Sequence, residues 1–206
     1  MSDGSEFEDL PGPPWLAIAG RGLLWLLLAW FTFRFATHSI ASNYAGSSFL
    51  HLIDLVFHES GHILWSPFCR FLTVLGGSAT QVLVPLVCLA AFWRRGDRFG
   101  AAVGAWWAGQ NLVDLAPYIN DARALQLVLL GGRTGAEVEG HDWEYLLTAI
   151  NRTTWDHGLA RLSHVAGLLA MAAALVWSAR ELRRQYREQS PPESVTMDPR
   201  ERPRSR

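Results

Sequence analysis

Phe57-His58-Glu59-Ser60-Gly61-His62-Ile63 sets a glutamate and two histidines inside a run that is mostly apolar from Phe49 to Leu75. If this run is a helix, His58 and His62 are one turn apart and project from one face, so both imidazoles can reach a single metal ion. Glu59 falls about 100° round from His58, beside such an ion and not on it. From there it could take a proton from water that the ion has activated. Ionisable groups in an apolar segment are costly, and in membranes they mark function by default. The plainer reading of the same residues is a pair of hydrogen-bonded core histidines with a snorkelling glutamate.

The rest of the composition agrees with a lipid setting. The chain has 206 residues, half of them hydrophobic, with ten tryptophans and a formal net charge of −1. That length suits one domain or one membrane bundle. The near-neutral balance lacks the basic face that nucleic-acid binding requires. Cys69 and Cys88 form no CxxC pair and read as packing residues.

Taken in order, residues 1–14 are acidic, lack the basic start of a signal peptide and read as disordered. Apolar spans are expected at about 15–36, 49–75, 78–93, 99–118 and 159–178. These make an all-α integral membrane domain over residues 15–178, a bundle of about five transmembrane helices with His58-Glu59-x-x-His62 on the second. Ser66-Pro67 should kink or interrupt that second span, and Gly76-Gly77 should punctuate the chain before the third. Gln81 and Pro85 are odd for a lipid-facing helix and should face protein or a water-filled cavity. Gly104 and Gly109 on the fourth span permit close helix contact. Residues 119–156 form the longest connection, and residues 179–206 read as a disordered charged tail. The arginines at 94, 95 and 98 and those at 180, 183, 184 and 187 should lie on the cytoplasmic side. With five spans, that assignment puts the N-terminus outside and the C-terminus in the cytoplasm.

Catalytic zinc commonly takes three protein ligands and leaves a position for water. The candidates for the third are Asp114, Asp121, His141 and Asp142, with His157 and His164 behind them. Asp54 lies one turn before His58 on the same face, and His51 about two turns before it; either could orient the ligands. Gln110 and Asn111, unusually polar for lipid, could line a cavity or support the ligands in the same way.

These residues resemble the site-2-protease-like intramembrane zinc metallopeptidases, the peptidase M50 group. The likeness is closest to small, uncharacterised bacterial multi-pass members. It rests on His58-Glu59-Ser60-Gly61-His62, Gly76-Gly77-Ser78, Gly109-Gln110-Asn111-Leu112, Tyr118-Ile119-Asn120-Asp121-Ala122-Arg123, Gly131-Gly132 and His141-Asp142-Trp143. It implies zinc on His58 and His62, Glu59 as base, and a place in a bacterial cytoplasmic membrane. In better-known members the third ligand comes from an Asn-x-x-Pro…Leu-Asp-Gly segment. This chain has Asn111, Pro117 and Asp121 but no Leu-Asp-Gly, and Asp121 is the nearest equivalent. Depth favours Asp114 instead. Counted along a helix from Phe99, Asp121 falls about 33 Å in, whereas His58 lies about 15 Å into its own segment.

The function expected is therefore hydrolysis of membrane-protein or peptide substrates by a zinc metallopeptidase within the lipid bilayer. Substrates would be transmembrane helices that unwind locally, because an intact helix hides its carbonyls. The alternative is a metal-binding transporter or sensor without catalysis, suggested by the surplus of His and Asp residues. A structural scaffold is the third reading. Nothing in the sequence specifies an oligomeric state.

Overall fold

The computed structural model describes residues 14–189, and the readings made for residues 1–13 and 190–206 lie outside it. The described chain is helical: α1 (Pro14–Thr37), α2 (Phe49–Trp65), α3 (Arg70–Arg94), α4 (Arg98–Asn120), α5 (Asp142–Ala149) and α6 (Asp156–Gln189). Among the described residues, three stretches are long and apolar enough to cross a membrane: Trp15–Thr37, Arg70–Arg94 and Thr153–Glu188. Many of their large apolar side chains point outward, including Leu23, Leu26, Phe33, Val87, Leu162 and Leu169. An exterior of this kind suits hydrocarbon and is rare on a soluble monomer. α4 is of similar length, but α3 and α6 enclose it, and Gln110, Asn111 and Asp114 lie buried along it.

Local chemistry sets the helix boundaries. The Ser48 hydroxyl accepts the His51 N–H at the start of α2, and the Asp97 carboxylate accepts the Gly100 N–H at the start of α4. The expected second span breaks at Ser66–Cys69, as Pro67 suggested, into α2 and the first turns of α3. Gly76-Gly77 does not break the chain. Both residues lie inside α3, where the absence of a side chain lets α2 approach: a Cβ on Gly61 would overlap the Gly76 carbonyl. The charged stretch after residue 178 continues α6 to Gln189 instead of unravelling. Arg184 pairs there with Glu181 at 2.8 Å and Glu188 at 2.9 Å. Cys69 is exposed beside the first turn of α3, not packed in the core.

Helix directions bear on the expected five spans. Arg21 donates to Gln185 and the Trp25 indole to the Leu175 carbonyl, so α1 and α6 run antiparallel. Gly109 meets Gly167, and the Ser163 hydroxyl donates to the Leu112 carbonyl, so α6 and α4 are antiparallel as well. The short turn after Arg94 sets α4 antiparallel to α3. Five crossings would leave Pro14 and Gln189 at opposite ends of the bundle. Here both lie at the same end, together with the Arg94–Arg98 turn. The stretch from residue 38 to 69, which contains α2, leaves and returns to the other end.

At that other end, residues 121–155 form a cap. Asp121 accepts the N–H groups of Gln126 and Leu127, each at 2.9 Å, and fixes the turn that follows α4. Arg123 holds the fully buried Asp156 at 2.6 Å, tying this cap to the start of α6. α5 packs on α3 and brings Asp142 to His58 and His62 of α2.

Candidate metal centre

α2 presents His58 and His62 toward α3, as the one-turn spacing requires, and their rings lie 5.0 Å apart between centroids. The cap supplies the group between them. Asp142, the first residue of α5, places Oδ2 2.9 Å from His58 Nε2 and 3.1 Å from His62 Nε2. Its position is held twice. The His141 Nδ1 caps α5 by accepting the Glu144 N–H at 3.2 Å, and the Asp142 N–H donates to the Tyr118 hydroxyl oxygen at 2.9 Å.

The far sides of the imidazoles decide their protonation. His62 Nδ1 faces the Thr73 carbonyl at 2.9 Å, an acceptor only, so this nitrogen carries the hydrogen. His58 Nδ1 faces Gln81 Oε1 at 2.9 Å. The Gln81 amide cannot turn over, because its Nε2 donates to Asp114 Oδ2 at 2.9 Å, and His51 Nδ1 donates to the same carboxylate at 3.0 Å. Both Nε2 lone pairs therefore point at a carboxylate oxygen. Three acceptors converging with no hydrogen between them repel one another unless a cation, a proton or a metal ion, sits there. His58, His62 and Asp142 are also the group of described residues whose ligand atoms all lie within 4.8 Å of one another.

This donor set fits zinc. Two imidazole nitrogens and a carboxylate oxygen are among its usual ligands. A tetrahedral ion holds its ligand atoms about 3.3 Å apart, so the two nitrogen–oxygen distances need open by only a few tenths of an ångström. Gly77 leaves the required space. A Cβ there would lie 2.7 Å from His58 Nε2 and 2.6 Å from His62 Nε2. Burial pushes the Asp142 carboxyl up, but a positive charge shared with His58 and His62 outweighs it and holds the group below its ordinary range. Burial also lowers the His141 imidazole, keeping it a neutral cap.

The other expected residues lie elsewhere. Asp121, the first choice from the family likeness, accepts two backbone N–H groups and lies 3.5 Å from His141 Nε2. It shapes the turn that delivers Asp142. Asp114 is one bond further out, holding Gln81. Asp54 is fully buried and accepts the Trp107 indole N–H at 2.9 Å and the Gln110 amide at 2.8 Å. The Asn111 amide donates to the Trp107 carbonyl at 2.9 Å. His157 bonds Asn120, and His164 lines a small cavity beside Pro117, both away from the centre. Gln81 was legible only as a polar oddity on an apolar span; four residues after Gly77, it shares that glycine's face.

Glu59 follows His58 on α2, half-buried and in no hydrogen bond among the described residues, and its charge acts on both His62 and Tyr118. A cleft of about 570 Å³ reaches Asp142 from the cap side, lined by residues of α3, α5 and the 135–141 segment.

No family model, curated protein or solved structure matches this chain.

Proposed function

We propose that this chain is a membrane-embedded zinc metallopeptidase akin to the M50 group, with His58, His62 and Asp142 as ligands and Glu59 as base. The observation that carries the reading is the set of three convergent acceptors over the Gly77 gap. A divalent cation in that position supplies Lewis acidity and makes water acidic near neutral pH. His58 and His62 are held in the ligating tautomer by Gln81 and Thr73. Glu59, uncommitted and adjacent, receives the proton from water and passes it to the leaving amine. The Tyr118 oxygen is occupied by the Asp142 N–H, which leaves its own hydrogen to donate to an oxyanion developing beside the site.

In the membrane we read α1, α3, α4 and α6 as crossings and α2 as a helix that enters and returns. The Arg94–Arg98 turn and the Arg180–Arg187 end of α6 then share the cytoplasmic side. Several arginines at the opposite end are already engaged: Arg123 by Asp156, and Arg34, Arg70 and Arg152 by aromatic rings.

Metal analysis and turnover by the purified full chain test the proposal. Stoichiometric zinc is expected, with Glu59→Gln retaining it while peptide hydrolysis falls by about 10²- to 10⁴-fold. A chain purified without zinc, or a Glu59→Gln variant that cleaves at the native rate, ends the peptidase reading. Unchanged metal transport in that variant would favour a carrier instead.

A further inference from the structure

We infer that the cleft beside Asp142 receives an extended, basic peptide segment that reaches the metal centre from the α5 end of the bundle, not sideways out of the lipid. The inference rests on the metallopeptidase reading and specifies its substrate class.

The first support is the route. α3 closes one side of the imidazoles at Gly77. The outer face of α2 is apolar, with Phe49, Leu52, Val56, Ile63 and Leu64 exposed. The cleft runs from Asp142 out between Arg70 and Val74 of α3, Glu144 and Tyr145 of α5, and the 135–141 segment. Its volume of about 570 Å³ lies within the roughly 300–1,000 Å³ of sites that take small organic and peptide-sized ligands. A transmembrane helix about 10 Å across could not enter such a space intact. An extended chain from the membrane surface could.

The second support is charge. Glu137, Glu139 and Glu144 line the cleft along with Asp142, opposed by Arg70 alone. The Arg70 guanidinium lies over the Tyr145 ring, 4.5 Å from its centroid. Among the described residues none of the three glutamates makes an ion pair. Glu137 accepts the Thr134 N–H and Glu144 the Thr148 hydroxyl, both uncharged donors. With Asp142 committed to the cation, the glutamates leave an excess of negative charge along the path. Such a lining draws in cationic segments and disfavours acidic ones.

The test is binding of fluorescein-labelled peptides of equal length, one Arg-rich and one Glu-rich, to the zinc-loaded full chain in nanodiscs. The Glu59→Gln background keeps the peptides intact, and anisotropy reports affinity without turnover. The basic peptide should bind at least about tenfold more tightly at low salt, a preference that added salt erodes. Replacing Glu137, Glu139 and Glu144 by Gln should remove most of that preference while zinc stays bound. Should the triple variant misfold, Glu139→Gln, which disturbs no hydrogen bond among the described residues, should still weaken the preference about two- to threefold. Val74→Trp, filling the cleft from α3, should abolish binding of both peptides with zinc retained. Equal binding of the two peptides, a preference untouched by the glutamate changes, or binding that survives Val74→Trp would each overturn the inference. A chain that binds basic peptides as described but holds no zinc would instead sink the peptidase reading and leave the cleft's selectivity standing.

Discussion

Two polar clusters among the described residues of this bundle differ in one respect. Around Asp54 and Asp114 every carboxylate meets donors: the Trp107 indole and Gln110 amide on one, the Gln81 amide and His51 on the other. Around His58, His62 and Asp142 the donors all lie on the far sides of the rings, and acceptors face acceptors. Buried acids alone do not make a ligand site, because a balanced cluster is a structural tie between helices. An unbalanced one calls for a cation. Of the surplus His and Asp that suggested a transporter in the sequence, His51, Asp54 and Asp114 belong to the balanced cluster and His141 caps α5.

That contrast can be broken experimentally, most forcefully at its two carboxylates. Asp142→Ala should lower zinc affinity by more than the about 10- to 100-fold that outer partners command, measured by chelator competition. Asp54→Asn should leave zinc in place and cost about 1.5–3 kcal/mol of stability, read from thermal melts in detergent. If the two variants exchange these phenotypes, the assignment of the clusters is reversed.

The next largest effect is expected at Gly77. A methyl group there meets both Nε2 atoms, so Gly77→Ala should strip most of the zinc while helix content in circular dichroism is kept. Full zinc occupancy in that variant would mean that the gap is incidental. Gln81→Leu sharpens the comparison further, because Gln81 joins the two clusters. Losing it frees the His58 tautomer and leaves Asp114 with His51, for an expected affinity loss of about 10- to 100-fold. The smallest effect is predicted for Asp121→Ala. The loss of two backbone acceptors should cost about 1–3 kcal/mol locally and lower zinc affinity less than tenfold, since Asp142 keeps its Tyr118 anchor. A loss as large as that of Asp142→Ala would restore Asp121 as a ligand.

Much of this arrangement was legible in the sequence, for identifiable reasons. Apolar length announced the long helices, and a spacing of four residues announced His58 and His62. Asp142 stood among several candidates because its approach to His58 spans 84 residues of chain, and such a contact depends on how the cap folds. The analogy put Asp121 first, whereas that carboxylate accepts the Gln126 and Leu127 N–H groups in the turn after α4; in the proposed reading it aims the ligand. Gly76-Gly77 read as a break because glycine is a poor helix former. Packing against α2 overrides that propensity and uses the missing side chains. The polar end of α6 looked disordered by composition, although Glu181, Arg184 and Glu188 carry the i,i+3 and i,i+4 spacing that steadies a solvated helix.

The separation of 84 positions between His58 and Asp142 would also turn the proposed centre into a clasp. In the proposed reading, an ion gripped by α2 on one side and α5 on the other would fasten the cap to the bundle as a cross-link does, so that its binding energy would become folding energy for the 121–155 region. On that reading a chain stripped of its ion would lose its chemistry and hold the walls of its doorway less firmly, since they hang from the same knot.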